Sequence, residues 1–450
     1  MVLSTPEYLC FLAVVFLGFW LLASTRPASQ RTWAIVLVAA ANLFFYWRFG
    51  WIYLAAMPIA ATCDFLLARA IPAKRWLIWI SVLLNMALLT IPKLPATANF
   101  LRLSLSFYAF QALSYTIDVY RGDAKPTSSW IRHLASVTFF PTILEGPITR
   151  VASLIPQWDK LKIPLSPEDG GRALFLIALG AAKKFLIADY LGENLVNRVF
   201  DGPALYSGFE CFIGVVAYAF QLYYDFSGYT DIALGSALLL GIKLPPNFNR
   251  PYESLNLAEF WRRWHITFSN WLRDYLYFSL PGQRSHAMQY LNLALTMVLG
   301  GLWHGFTINF LIWGAIHGVG LAVVRWWHIR RGKKPYSALW IIRFARGLVT
   351  FLYVLLGWVF FRAETLDSAR AVLDQISSGT IGFGNISTGF AVVLGVAIVA
   401  HYWPKNWYAR VQQGFALAPA LVQAVVLTIL VACIEYVGAT GSAPFVYQRF

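Results

Sequence analysis

The sequence predicts an all-α polytopic membrane protein, and three observations carry that prediction. Apolar residues make up 58% of the 450-residue chain and charged residues only 13%, against about 25% charged in soluble domains. The charges are also bunched. None falls within residues 8–25, 76–92, 347–361 or 411–434, runs that reach or approach the roughly 20 residues a helix needs to cross a hydrocarbon core of about 30 Å. Finally, these runs do not alternate apolar and polar residues as the strands of a membrane β-barrel do. Helices are then the way to satisfy the backbone in lipid. A large soluble protein with buried apolar helices would need a far more charged outer shell.

Residues 1–119 read as four or five hydrophobic helices with loops near Arg26, Gly50 and residues 69–74. The first apolar stretch lacks a basic leader and a small-residue cleavage site, so it reads as a retained span. Residues 120–170 are less regular, because Pro141, Glu145, Gly146 and Pro147 interrupt an apolar stretch. Either a re-entrant segment buried in protein or a surface loop between short helices fits that pattern. Residues 171–240 resume with a span ending near Lys183 and Lys184, then another running from Cys211 into Tyr223-Tyr224-Asp225-Phe226-Ser227-Gly228-Tyr229. Asp225 and Asp231 lie against apolar sequence, either facing a bundle interior or capping the next helix.

Residues 244–277 differ from the rest. Leu244-Pro245-Pro246-Asn247 opens an extended piece by proline rules, and a helix starts after Asn256 or Leu257. Trp261, Trp264, His265, Phe268 and Trp271 recur at three and four, which places them on one helix face. With Arg262 and Arg263 straddling that face, a basic helix lying at the membrane surface is the bland reading, and it leaves His265 unexplained. Residues 285–324 carry no Asp, Glu, Lys or Arg. Two spans fit there, joined around Gly300-Gly301. A span near 347–361, a polar linker around 377–388, two spans near 389–403 and 418–435, and an aromatic, basic C-terminal end complete the chain.

The net charge of +15 would point to nucleic acid in a soluble protein. Here it reads as topology, since Lys and Arg collect in cytoplasmic loops. The basic segments 69–75 and 325–346 are therefore expected inside, along with Arg26 and Arg31, and the N-terminus outside. The four scattered cysteines have no CxxC spacing and read as small buried hydrophobes. No short-range His, Cys or carboxylate spacing supports a metal site, and no nucleophile elbow, P-loop or dinucleotide fingerprint is present.

Two of the seven histidines stand out. His304 lies in Gly300-Gly301-Leu302-Trp303-His304-Gly305, inside the charge-free stretch, where histidine is costly. A neutral imidazole there is what a general base needs, although a core hydrogen bond to a carbonyl is an equal reading. His265 is the second candidate. His317 has no obvious partner, and His133, His286, His328 and His401 sit nearer loops or ends.

These residues carry a resemblance. Asn249-Arg250-Pro251-Tyr252, the run from Phe260-Trp261-Arg262-Arg263-Trp264-His265 to Asp274-Tyr275, and the Gly300 to Gly305 hexapeptide resemble the membrane-bound O-acyltransferase family, in particular its bacterial alginate O-acetylation and teichoic acid D-alanyl transfer branch. Ser106-Phe107-Tyr108-Ala109-Phe110-Gln111, Gly146-Pro147-Ile148 and Asp225-Phe226-Ser227-Gly228-Tyr229-Thr230-Asp231 support it upstream. The resemblance covers most of the chain. It implies one membrane-embedded domain, with N-terminal helices over 1–119, a catalytic core over 120–325 and C-terminal helices over 326–450. It further implies a ring of roughly eleven or more transmembrane helices around a thin centre, where funnels from both sides nearly meet.

By the same resemblance His304 matches the catalytic histidine and His265 the second characteristic one. Arg262, Arg263, Trp264, Asn270, Asp225, Tyr229 and Trp303 become candidates for contact with substrate or donor. The implied reaction is acyl transfer from a thioester to a hydroxyl. The donor expected is acetyl-CoA, with no bound cofactor and no metal. The acceptor is a cell-surface polysaccharide, and the expected partners are membrane lipid, a periplasmic esterase-like acetyltransferase and a polysaccharide synthase or export complex, all at the bacterial inner membrane. D-alanyl or other acyl transfer to an envelope polymer is the alternative. A transporter or a structural subunit of an export complex would need neither histidine as a base.

Overall fold

The structure is a computed structural model that describes residues 3, 5–25, 32–93, 105–332 and 339–438. Among these residues every regular element is helical. In chain order they are α1 (Pro6–Thr25), α2 (Thr32–Trp47), α3 (Tyr53–Ala70), α4 (Ile78–Thr90), α5 (Ser106–Arg121), α6 (Trp130–Val137), α7 (Val151–Asp159) and α8 (Pro167–Ala182). There follow α9 (Asn197–Asp201), α10 (Gly208–Leu239), α11 (Leu257–Arg263), α12 (Ile266–Trp271), α13 (His286–His304) and α14 (Ile308–Arg331). The last are α15 (Trp340–Arg362), α16 (Leu366–Ser377), α17 (Thr388–Tyr402), α18 (Lys405–Leu417) and α19 (Ala420–Gly438). Among the described residues, six stretches are long and apolar enough to cross a membrane: Pro6–Ser24, Tyr53–Ala70, Arg75–Lys93, Ile308–Arg331, Trp340–Arg362 and Ala420–Val437. The expected loop at Arg26 and Arg31, the pair Lys333-Lys334 and the C-terminal end lie outside the described residues.

The chain divides into two compact units. One takes residues 1–181, 229–246 and 409–427, and the other takes 182–228, 247–408 and 428–450.

In the first unit the irregular segment between α6 and α7 is deeply buried from His133 to Thr149, which rules out the surface-loop reading. Backbone at that depth must be satisfied internally. Asn42 on α2 contributes to this: its Nδ2 donates to the carbonyl of Ala135 at 3.1 Å, and its Oδ1 accepts from the Phe140 N–H at 3.0 Å. Gly146 has to be glycine, because a Cβ would lie 2.5 Å from Thr142 Cα. The buried carboxylate of Asp64 accepts from Asn85 Nδ2, Ser81 Oγ and Tyr108 Oη at 2.9, 3.1 and 3.1 Å, so this polar group on an apolar helix is compensated.

In the second unit α13 and α14 form a tight hairpin. Gly300 and Gly301 lie inside α13 rather than at the joint. The chain turns instead at Gly305-Phe306-Thr307, where Thr307 Oγ1 accepts the Phe310 N–H and caps α14. The glycines serve close approach: a Cβ on Gly301 would meet the Phe310 carbonyl at 2.3 Å, and one on Gly314 the Met297 carbonyl at 2.6 Å. Gly314→Val is therefore expected to destabilise the protein by about 1–3 kcal/mol or more through overpacking. Gly395→Ala on α17, with nothing within 4 Å, is the control and should not destabilise, since alanine suits a helix interior better than glycine; both are read by thermal unfolding in detergent. The polar linker around 377–388 is tied to the start of α10, where the Glu210 carboxylate accepts the N–H groups of Ser207 and Asn385, each at 2.8 Å.

Candidate active site

The segment predicted to be extended and then helical behaves so at its start. Asn256 Oδ1 accepts the Glu259 N–H at 2.9 Å and caps α11. The single helix carrying an aromatic stripe does not continue, however. Trp264 is extended, and His265 takes φ 41°, ψ 55°, a left-handed conformation uncommon for a residue with a Cβ. The cause lies upstream in sequence. The non-helical residues 247–249 bond to the break: Asn249 N–H donates to the Arg263 carbonyl at 2.9 Å and Ile266 N–H to the Asn247 carbonyl at 2.8 Å. The expectation of one continuous face is thus corrected. So is the surface-helix reading, because Trp264, His265 and Phe268 are each 1% exposed.

Asn247 also sets the ring of His265. Its side-chain oxygen accepts from Thr267 N at 3.2 Å and Thr267 Oγ1 at 2.8 Å, and lies 3.1 Å from His265 Nδ1. A backbone N–H only donates, so the asparagine atom facing Thr267 is the oxygen. His265 Nδ1 must then carry a proton to donate to it, which leaves Nε2 as the basic nitrogen of the neutral ring.

From His265 the contacts lead to His304 through one ring. Phe268 stacks on His265 with centroids 5.0 Å apart, and packs on Trp303 at 4.5 Å and His304 at 6.3 Å. His304 is the last residue of α13 and is 4% exposed. Trp303, Phe361, Trp313 and Phe310 surround it at 4.5, 4.9, 5.3 and 5.8 Å between ring centroids. Two imidazoles in one water-poor aromatic enclosure suit proton transfer, where each electrostatic interaction is stronger than in water.

A sequence model of the family "MBOAT, membrane-bound O-acyltransferase family" matches residues 126–356. A probable alginate O-acetylase of Azotobacter vinelandii is 35% identical over 94% of this chain and 89% of its own length. A peptidoglycan O-acetyltransferase of Helicobacter pylori is 33% identical over 85% and 80%. A teichoic acid D-alanyltransferase of Streptococcus thermophilus is 27% identical over 72% and 78%. The chain belongs to the membrane-bound O-acyltransferase family. It is an O-acyltransferase embedded in a membrane through its apolar helices.

The other candidate residues of this acyltransferase fall into different places. Trp303 touches His304, and Trp264 packs between Phe248, Phe260 and Trp358 at 5.2, 5.7 and 5.0 Å. Arg263 is committed to carboxylates, with Nη2 2.6 Å from Glu259 and Nη1 3.3 Å from Glu253, whereas Arg262 is exposed. Asn270 is half-buried on α12. Tyr229 lies in the first unit, buried beside Leu144 and Glu145. Asp225 is in the middle of α10 and is not a helix cap. It forms a buried triad in which Lys184 Nζ lies 2.8 Å from both Asp225 and Asp189. Lys184 reaches them from a π-helical turn, Lys183–Asp189, at the end of α8.

Sequence reasoning missed Asn247 and Lys184, whose partners are 18 and 41 residues away; no local spacing signals either. His133 and His401 do lie near helix ends, as expected, and both are buried, at 0% and 2% exposure. His401 Nε2 accepts the Tyr252 N–H at 3.3 Å. His317 Nδ1 accepts from Trp261 Nε1 at 3.3 Å, the partner its sequence position did not reveal. Among the described residues no three His, Cys, Asp or Glu side chains converge as a metal site.

Asn247→Leu removes the acceptor that orients His265 while preserving bulk. Activity is expected to fall about 10-fold to 100-fold, by analogy with the loss of a partner that orients a metal-bound histidine. Asn247→Asp, which still accepts at that position, is expected to retain more activity than the leucine variant at equal folded yield.

Proposed function

We propose that this acyltransferase moves an acetyl group from acetyl-CoA on the cytoplasmic side of a bacterial inner membrane toward hydroxyls of an exported polysaccharide. In this reading a periplasmic esterase-like transferase receives the group and hands it to the polymer, working beside a polysaccharide synthase or export complex. A ring of eleven or more helices around a thin centre would let donor and acceptor reach one site from opposite faces. The observation that carries the reading is the pair of buried histidines packed on Phe268. The alginate and peptidoglycan O-acetylation named for the more similar relatives favours acetyl over D-alanyl.

The imidazole of His304 takes the proton of the acceptor hydroxyl as its oxygen attacks the thioester carbonyl. The C–S bond then breaks, the thiolate leaves, and the proton held by His304 passes to the departing sulfur. His265, with Nδ1 tied to Asn247 and Nε2 as its basic nitrogen, orients the acceptor or relays the proton. The exposed Arg262 meets the donor's phosphates.

The test is release of coenzyme A thiol by the purified full chain in detergent, supplied with acetyl-CoA and, in parallel, longer acyl-CoA donors and a D-alanyl carrier-protein thioester. Each is run with polysaccharide and candidate esterase-like partner present. Turnover preferring acetyl-CoA supports the proposal. Turnover confined to the carrier-protein thioester sinks the acetyl assignment. No turnover with any donor sinks the proposed cycle and favours a transport or scaffold role.

A further inference from the structure

Away from the histidines, a groove of about 700 Å3 runs between α14 and α15 and is closed at its base by residues 255–257. Its length is apolar, with Val319, Val323 and Val349 on the lip at 56, 55 and 67% exposure. The base is shaped by Gly320, where a Cβ would meet Leu257 Cδ2 at 2.6 Å and Tyr353 Oη at 2.8 Å. Both walls belong to helices long and apolar enough to span a membrane, so the lip faces hydrocarbon rather than water. Hydrocarbon is the material such a groove would admit at least cost.

One end is different. His328 and Arg346 line it, and His328 lies in the field of Arg262, Arg325, Arg331 and Arg346. Arg346 Nη2 donates to the Leu255 carbonyl at 3.3 Å, which anchors its guanidinium at the base of the groove. Arg330 stacks over Trp326 at 4.6 Å, beside that end. No residue lining the groove is Asp or Glu. A concave apolar channel with a cluster of guanidinium groups at one end is complementary to a molecule with a long apolar tail and an anionic head. It fits neither a free anion, which has no use for the channel, nor a zwitterionic lipid, which gains little from the net positive charge.

We infer that this groove is a binding site for an anionic glycerophospholipid, with one acyl chain against Val319, Val323 and Val349 and its phosphate against Arg346 and the arginines at the end of α14. The bound lipid spans the two helices that hold the histidine enclosure together. α14 carries Trp313, and α15 carries Phe361, both packed on His304.

The experiment is native mass spectrometry of the full chain in detergent, titrated with phosphatidylglycerol, with phosphatidylcholine of the same chains, and with glycerol 3-phosphate and coenzyme A as heads without lipid tails. Phosphatidylglycerol should bind at least about tenfold more tightly than phosphatidylcholine, since more than one arginine near that end favours an anionic head. Val323→Trp, which fills the channel from an exposed position, should abolish that retained lipid, and Val349→Trp should do the same from the opposite wall. Arg346→Gln should narrow the preference for phosphatidylglycerol by about fivefold. Equal affinity for the two lipids would overturn the assignment. So would phosphatidylglycerol binding that survives both tryptophan variants, or tailless glycerol 3-phosphate or coenzyme A competing as strongly as the lipid. Thermal unfolding without added lipid confirms that each variant is folded.

Discussion

His304→Ala is expected to lower thioester turnover by about 10²–10⁴-fold, the range contributed by a positioned proton acceptor, while the variant still inserts and folds. The geometry explains why the loss should fall on chemistry. His304 ends α13, with Gly305 extended behind it, and its ring is enclosed by Trp303, Trp313, Phe361 and Phe310. Alanine leaves a hole among these rings and so carries its own packing cost. His304→Gln, closer in size and unable to act as a base at neutral pH, separates the two effects. If histidine is the base, both variants are inactive and glutamine unfolds nearer the parent temperature. Full turnover in the glutamine variant would remove His304 from the chemical step and leave it a packing residue.

Lys184→Met is expected to cost the protein about 3–5 kcal/mol of stability. Lys184 is 1% exposed and its Nζ lies 2.8 Å from both Asp189 and Asp225. Methionine fills much the same volume but leaves two carboxylates buried without their cation. Removing one partner of a buried ion pair costs about 3–5 kcal/mol, whereas replacing the whole constellation with neutral groups is often close to neutral. The triple variant Lys184→Met, Asp189→Asn, Asp225→Asn is therefore expected to recover much of the loss. Denaturant unfolding in detergent measures both. A single variant as stable as the triple one would show that the triad costs nothing to break, and the carboxylates would then have to be neutralised or solvated by other means.

The two expectations differ in how visible they were beforehand. His304 announced itself, because a histidine inside residues 285–324, without a charged neighbour, is expensive and so invites a reason. Asp225 was noticed on the same ground, but its partner was not: Lys184 was read as the end of a span, and only the π-helical turn that carries it brings the ammonium to α10. His265 was singled out by its setting in an aromatic stripe. The stripe suggested one helix, yet pairing of residues 247–249 with 263–266 breaks it at His265. Periodicity counts residues along one axis and cannot register a segment that arrives from elsewhere and takes over backbone hydrogen bonds.

By itself the sequence determined the helical class, most span positions, the absence of local metal spacing and the two histidines worth testing. These depend on composition and on neighbours along the chain, where the cost of charge in lipid and the need to satisfy each peptide group act locally. Tertiary structure alone decided that Gly301 and Gly314 pack a hairpin and do not turn it, that Asn247 sets the ring of His265, that Lys184 neutralises two carboxylates, and that Arg263 is occupied by Glu253 and Glu259. Each joins groups distant in sequence or replaces a helix by a close contact. Such pairings are settled by which buried polar groups find partners once the apolar helices have packed.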